Sequence, residues 1–85
     1  MTWTVTVARP AQKAAAKFPG KDRERIRAAV GAMADDPFTG DVIKLEGEGN
    51  RWRRRIGSYR IFFAVDTAAR TVDVSAIVRR TSSTY

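Results

Sequence analysis

The run Trp52-Arg53-Arg54-Arg55-Ile56-Gly57-Ser58-Tyr59-Arg60-Ile61-Phe62-Phe63 leaves few folds open to this chain. Two stretches rich in aromatic, β-branched and arginine residues flank a Gly-Ser pair, which is the composition of a β-hairpin closed by a two-residue turn. Such a turn fixes the register. Ile56 faces Tyr59, Arg55 faces Arg60, Arg54 faces Ile61, Arg53 faces Phe62 and Trp52 faces Phe63. Side chains alternate along a strand, so one face gathers Trp52, Ile56, Tyr59, Ile61, Phe63 and Val65, enough apolar surface for a core. The other gathers Arg53, Arg55, Arg60 and Phe62, and only Arg54 breaks the pattern.

Like charges directly opposite one another on a sheet are destabilising by roughly 0.2–1 kcal/mol per pair, so stability alone does not select Arg55 against Arg60. Solvation of an exposed sheet face is one account of three guanidiniums there. An anion site, most plausibly for phosphate, is the other, because the planar fork of donors matches phosphate oxygens and stays charged at any physiological pH.

The rest of the chain supplies a scaffold for that hairpin. Thr2 to Val7 alternates Trp3, Val5 and Val7 with threonines and reads as a strand. Pro10 then opens a short helix with an alanine face and ends it near Phe18, before Pro19-Gly20. A second helix is expected from Lys21 to Ala34, with Ile26, Ala29, Val30 and Met33 on one face and Asp35-Asp36-Pro37 as its stop. Phe38 to Arg51 is a connector in which Val42 to Leu45 has extended character. Its Glu46-Gly47-Glu48-Gly49 segment is rejected as a phosphate loop, since two glutamates repel the ligand. After a polar turn, Thr71 to Val78 is a final strand. Regular alternation buries Val72, Val74, Ala76 and Val78 and places Arg79 on the side of Arg53, Arg55 and Arg60. The expected class is α+β, ordered β-α-α-β-β-β, with an antiparallel sheet packed on an N-terminal helical hairpin and its other face open.

Composition narrows the chemistry. Eighty-five residues make one small domain, 1–85, and 16 lysines and arginines against 9 acids leave a net charge of +7, which suits a polyanion or an acidic protein as partner. No cysteine or histidine is present, which excludes disulfides, the usual zinc sites and histidine acid/base catalysis. The first residues follow a strand pattern rather than an apolar leader, and no long apolar run suggests a membrane, so the cytoplasm is the expected compartment.

Along its length the chain resembles the RelE/ParE superfamily of toxins from bacterial type II toxin-antitoxin modules. Lys44-Leu45-Glu46-Gly47, Trp52 to Ile56, Ser58 to Phe63 and the ending Arg79 to Tyr85 carry the resemblance. RelE-like and YoeB-like members cut messenger RNA on the ribosome, whereas ParE-like members poison DNA gyrase. The resemblance implies a RelE-like domain and, in the RelE branch, an endoribonuclease with Arg53, Arg55, Arg60, Arg79 and Tyr85 at matching catalytic positions. Lys44, Phe62 and Arg80 are expected to contact RNA, Phe62 by stacking on a base. The implied chemistry is metal-free attack of a ribose 2′-hydroxyl on the adjacent phosphate, with no cofactor. Implied partners are a small acidic antitoxin, the ribosome and mRNA, or DNA gyrase if the chain is ParE-like; a homologue that has lost activity and only binds its antitoxin is a further alternative.

Overall fold

The structure is a computed structural model that describes residues 2–47 and 49–80. The elements are β1 (Thr4–Val7), α1 (Arg9–Ala16), α2 (Gly20–Ala32), β2 (Asp41–Lys44), β3 (Arg51–Ile56), β4 (Tyr59–Asp66) and β5 (Thr71–Arg79). The expected α+β class holds, with one strand more than expected: the extended segment before the hairpin is a true edge strand, β2.

The helices start and stop for local reasons. Pro10 sits in the first turn of α1, where its missing N–H costs nothing, and the Gln12 side-chain amide donates to the Val7 carbonyl at 2.8 Å, tying the helix to β1. In α2, Asp22 occupies the first turn, favourable against the helix dipole. Its C-terminal end is tied to the start of the chain: the backbone N–H groups of Thr2 and Trp3 both donate to the Ala34 carbonyl at 3.0 Å. A turn follows in which Asp36 accepts the Phe38 N–H on its carboxylate at 2.9 Å.

The strands form one sheet in the order β1-β5-β4-β3-β2. Its three pairings from β2 to β5 are antiparallel, whereas β1 runs parallel to β5, so the sheet is mixed rather than wholly antiparallel. The cause is the connection. The helical hairpin carries the chain from β1 across one sheet face to the opposite edge, and a crossover of that length does not impose the reversal that a tight turn does.

The hairpin register is the one the Gly-Ser turn dictates, with all five expected cross-strand pairs present. Gly57 has φ +54°, the left-handed value that the first central residue of such a turn needs. Along β4, Tyr59, Ile61, Phe63 and Val65 are buried and the alternate residues are not. With Met33, Val72, Val74, Ile77, Ile26, Ala29 and Ala11 they form the core between sheet and helices.

One irregularity redistributes the side chains of β5. Phe63 pairs with Val74 and Phe62 with Ala76, leaving Ser75 as an extra residue in a β-bulge. The Ser75 hydroxyl occupies itself with the Phe62 carbonyl at 3.3 Å. A single extra residue reverses the alternation beyond it. Ile77 is therefore 5% exposed while Val78 is 41% exposed, the opposite of what regular alternation from Val72 gives. Ala76 and Val78 belong to the open face, and Ile77 and Arg79 turn toward the helices.

Candidate nucleic-acid interface

The open face of the hairpin carries a band of arginines. Arg55 and Arg60 are direct cross-strand partners, Arg53 is opposite Phe62, and Arg51 is opposite Ala64. Arg80 joins them at the strand end, where its N–H donates to the Ser58 carbonyl at 2.6 Å and extends the β5 pairing to the turn. The alternation that selects Arg53 and Arg55 also selects Arg51, two residues earlier; the sequence reading placed it in the connector and missed it.

The electrostatics record the crowding. The Arg60 guanidinium is held below its ordinary value, first by burial and then by the positive charges of Arg55, Arg53 and Arg80. Its Nη1 curls back to the hairpin turn, donating to the carbonyls of Tyr59 at 3.3 Å and Gly57 at 3.4 Å. Among the described residues, Asp41 on β2 pairs with the band: its carboxylate lies 3.1 Å from Arg55 Nε. Both side chains are about half exposed, so this pair is a modest local offset to the repulsion. Arg53, Arg60 and Arg80 have no ion-pair partner among the described residues. Arg51 Nη2 reaches the Ser75 hydroxyl at 3.3 Å. Phe62, Val78 and Ile43 give the band an apolar floor and rim, with Val78 41% and Ile43 48% exposed.

Two expected members of the site are elsewhere. Arg79 faces Tyr59 across the β4–β5 ladder on the helix-bearing side, with its Cζ 5.7 Å from the Tyr59 ring centroid. The bulge at Ser75 accounts for that displacement. Lys44 pairs with Trp52, also on the helix-bearing side, and its Nζ lies 6.0 Å from the Trp52 ring. Tyr85, expected in the site, lies outside the described residues. Phe62 stays on the arginine face as expected.

A second cluster sits directly beneath the hairpin turn. The Tyr59 hydroxyl donates to Asp22 Oδ2 at 2.7 Å, and Phe18 packs on the Tyr59 ring with centroids 4.6 Å apart. Arg25 approaches Asp22 at 3.9 Å and lies against Gly57, where an added Cβ would be 3.4 Å from its guanidinium. The Tyr59 phenol is pushed above its ordinary value by burial and by its bond to Asp22. Among the described residues no group of histidine, cysteine and acidic side chains is arranged to hold a metal.

The fold therefore sets two helices on one sheet face and a guanidinium band on the other. No family model and no curated relative matches the chain. Solved structures do. The archaeal RelE of a RelE-RelB complex from Pyrococcus horikoshii OT3 is similar at TM-score 0.86 and 26% identity over 98% of this chain and 100% of that one. The isolated E. coli RelE toxin is similar at TM-score 0.79 and 18% identity, over 95% and 87%. A YoeB/ParE toxin from Agrobacterium tumefaciens is similar at TM-score 0.75 and 15% identity, over 92% and 99%. By structure, the chain falls in the RelE/ParE superfamily of toxins. Among the described residues no helix is long and apolar enough to cross a membrane.

Proposed function

We propose that residues 1–85 form the toxin of a toxin-antitoxin module and act as a ribosome-dependent mRNA endoribonuclease. The observation that carries this reading is the convergence of Arg53, Arg55, Arg60 and Arg80 on one open sheet face, three of them without an acid partner among the described residues. The 2′-oxygen of a bound ribose attacks the neighbouring phosphorus, the bond from phosphorus to the 5′-oxygen breaks, and the products are a 2′,3′-cyclic phosphate and a 5′-hydroxyl. Charge builds on the non-bridging oxygens in the transition state. Arg60 and Arg80, with Arg53 and Arg55 beside them, supply fixed positive charge there, and one such donor is typically worth about 10²–10³ in rate. The role the resemblance gives to Arg79 thereby passes to Arg80.

A proton must leave the 2′-hydroxyl and another must reach the departing 5′-oxygen. Guanidiniums hold their protons too firmly to act as bases, so this reading assigns proton transfer, or stacking on a base, to the Tyr85 phenol. Phe62, flush with the arginines, offers a stacking surface for a base. The P. horikoshii neighbour is a complex of RelE with RelB, and the surplus of 7 positive charges suits an acidic antitoxin as partner here. A cytoplasmic site of action goes with that partner and with mRNA.

A ParE-like inhibitor of DNA gyrase is the second reading, and the position of Arg79 on the helix-bearing face favours it, because the full arginine constellation of the RelE branch is then incomplete. Induced expression in a bacterium separates the two. Translation arrest with mRNA cut within codons, relieved by more than tenfold in cleavage for Arg60→Ala, is the expected result. Filamentation with DNA-damage signalling and intact mRNA would replace the first reading by the second. Absence of any phenotype would mean a homologue that only binds its antitoxin.

A further inference from the structure

Tyr59 and Arg60 are neighbours in β4 whose side chains leave the sheet on opposite faces. Arg60 lies in the arginine band; Tyr59 points down into the helical layer. The backbone between them is shared, and Arg60 Nη1 rests on the carbonyls of Tyr59 and Gly57. Whatever fixes that short stretch of backbone also fixes the guanidinium. Four contacts hold it from below: the Tyr59 hydroxyl on Asp22 at 2.7 Å, the Phe18 ring on Tyr59, Arg25 against Gly57, and Arg79 over the Tyr59 ring. Of these, the bond to Asp22 is the directional one, and it ties the hairpin to the first turn of α2.

Charge favours the same role. Burial without a partner penalises a phenol hydroxyl, so the ring is anchored where Asp22 is, not free to swing. Asp22 in turn has Arg25 one helical turn further along, at 3.9 Å, a second contact on the side chain that accepts the Tyr59 hydroxyl. Like-charge repulsion between Arg55 and Arg60 works to splay the end of the hairpin, which the Arg80 N–H on the Ser58 carbonyl ties to β5 from the side.

We infer that Asp22 and Tyr59 form a latch that positions Arg60, so that a residue on α2, remote from the open face, sets the geometry of the arginine band. The inference rests on the nuclease reading only for its kinetic consequence. Neither side chain touches RNA; both are positioning residues. Tyr59→Phe keeps the ring and its packing and removes only the hydroxyl, while Asp22→Asn keeps the shape and weakens the acceptor.

Ribosome-dependent cleavage by the full chain is measured for Tyr59→Phe, Asp22→Asn, the double variant and Asp22→Glu. The expected loss in kcat is about three- to tenfold for each single variant, the range for one hydrogen bond. KM stays unchanged, the double variant is no worse than either single one, and Asp22→Glu recovers part of the loss. Losses that multiply in the double variant, or that reside in KM, overturn the latch. A second arm does not depend on activity: in a 15N correlation spectrum, Asp22→Asn is expected to shift the Arg60 Nε–Hε signal. If the wild-type chain cuts no mRNA, the nuclease reading fails, and the latch stands or falls on that signal alone. An unmoved Arg60 signal overturns it.

Discussion

Arg54 is the hairpin residue whose face and chemistry disagree, and replacing it should strengthen the fold. It lies on the helix-bearing side between apolar cross-strand neighbours, Val42 on one strand and Ile61 on the other. Ile61 is 0% exposed, and Arg54 Nε and Nη1 are buried without any hydrogen-bond partner. The guanidinium lies against Gly40, whose φ of +94° and missing side chain make the space: a Cβ there would stand 2.9 Å from Arg54 Cζ. Each buried donor left unsatisfied costs about 1–3 kcal/mol, and more where the group is charged. Arg54→Met keeps an unbranched stem of similar reach and removes both orphans. The gain is reduced by the hydration and packing lost from the remainder of the guanidinium, which leaves a net stabilisation of about 1–2 kcal/mol. For a domain of this size, 1 kcal/mol moves Tm by about 4–8 °C, so urea titration and calorimetry will both resolve it. Because Arg54 and the arginine band lie on opposite faces, cleavage and RNA binding should be unchanged. Destabilisation by more than about 1 kcal/mol would mean that the guanidinium is satisfied after all, and would refute the reasoning.

Arg80→Ala should lower cleavage by about 10²–10³, the loss expected of a donor to the transition state, and Arg79→Ala by under about tenfold; the reverse order would return Arg79 to the site. Affinity for a short single-stranded RNA, measured across salt concentrations, should fall with a slope of about −2 to −3 in log K against log salt, as three or four phosphates neutralised at about −0.7 each require. The Tyr59 phenol is raised, so it stays neutral in the fold at pH values where the unfolded chain ionises. Its contribution is complete below about pH 10 and is lost as pH rises through the folded value, and the loss should be absent in Tyr59→Phe when stability is followed from pH 9 upward. Deleting Ser75 should leave Ile77 buried and cost no more than about 1–3 kcal/mol, the two hydrogen bonds its hydroxyl takes part in, because the pairing of Ala76 to Arg79 with β4 is retained; exposure of Ile77, read by amide exchange, would contradict the bulge.

The hairpin was legible because a two-residue turn leaves no freedom of register, and every pair from Ile56–Tyr59 to Trp52–Phe63 followed from locating Gly57-Ser58. The helices were legible from their punctuation, Pro10, Pro19-Gly20 and Asp35-Asp36-Pro37, with α2 ending at Ala32 rather than Ala34, within the fraying of any helix end. Arg79 was misplaced for a definite reason. Val72, Val74, Ala76, Ile77 and Val78 are all apolar, so nothing in composition marks where alternation slips. The bulge is chosen by tertiary burial, which gains more from Ile77 inside than from Val78. The face of Lys44 was not legible, because a four-residue edge strand offers no periodicity from which to choose it. The parallel pairing of β1 with β5 is a property of the crossover, and no residue in either strand encodes it.

The same alternation that made the hairpin readable also explains why its two faces have opposed energetics. Tyr59, Ile61 and Phe63 have each a neighbour, Arg60 or Phe62, that cannot leave the open face without dragging a core residue out of the interior. The buried face therefore holds the cationic face in place, and the repulsion between Arg55 and Arg60 is supported by burial directly beneath it. Asp41 pairs with Arg55 and also acts on Arg60, but it is outweighed at Arg60 by the positive charges of Arg55, Arg53 and Arg80. An anion bound there would relieve repulsion already present in the free protein, which is what the proposed phosphate-binding role requires.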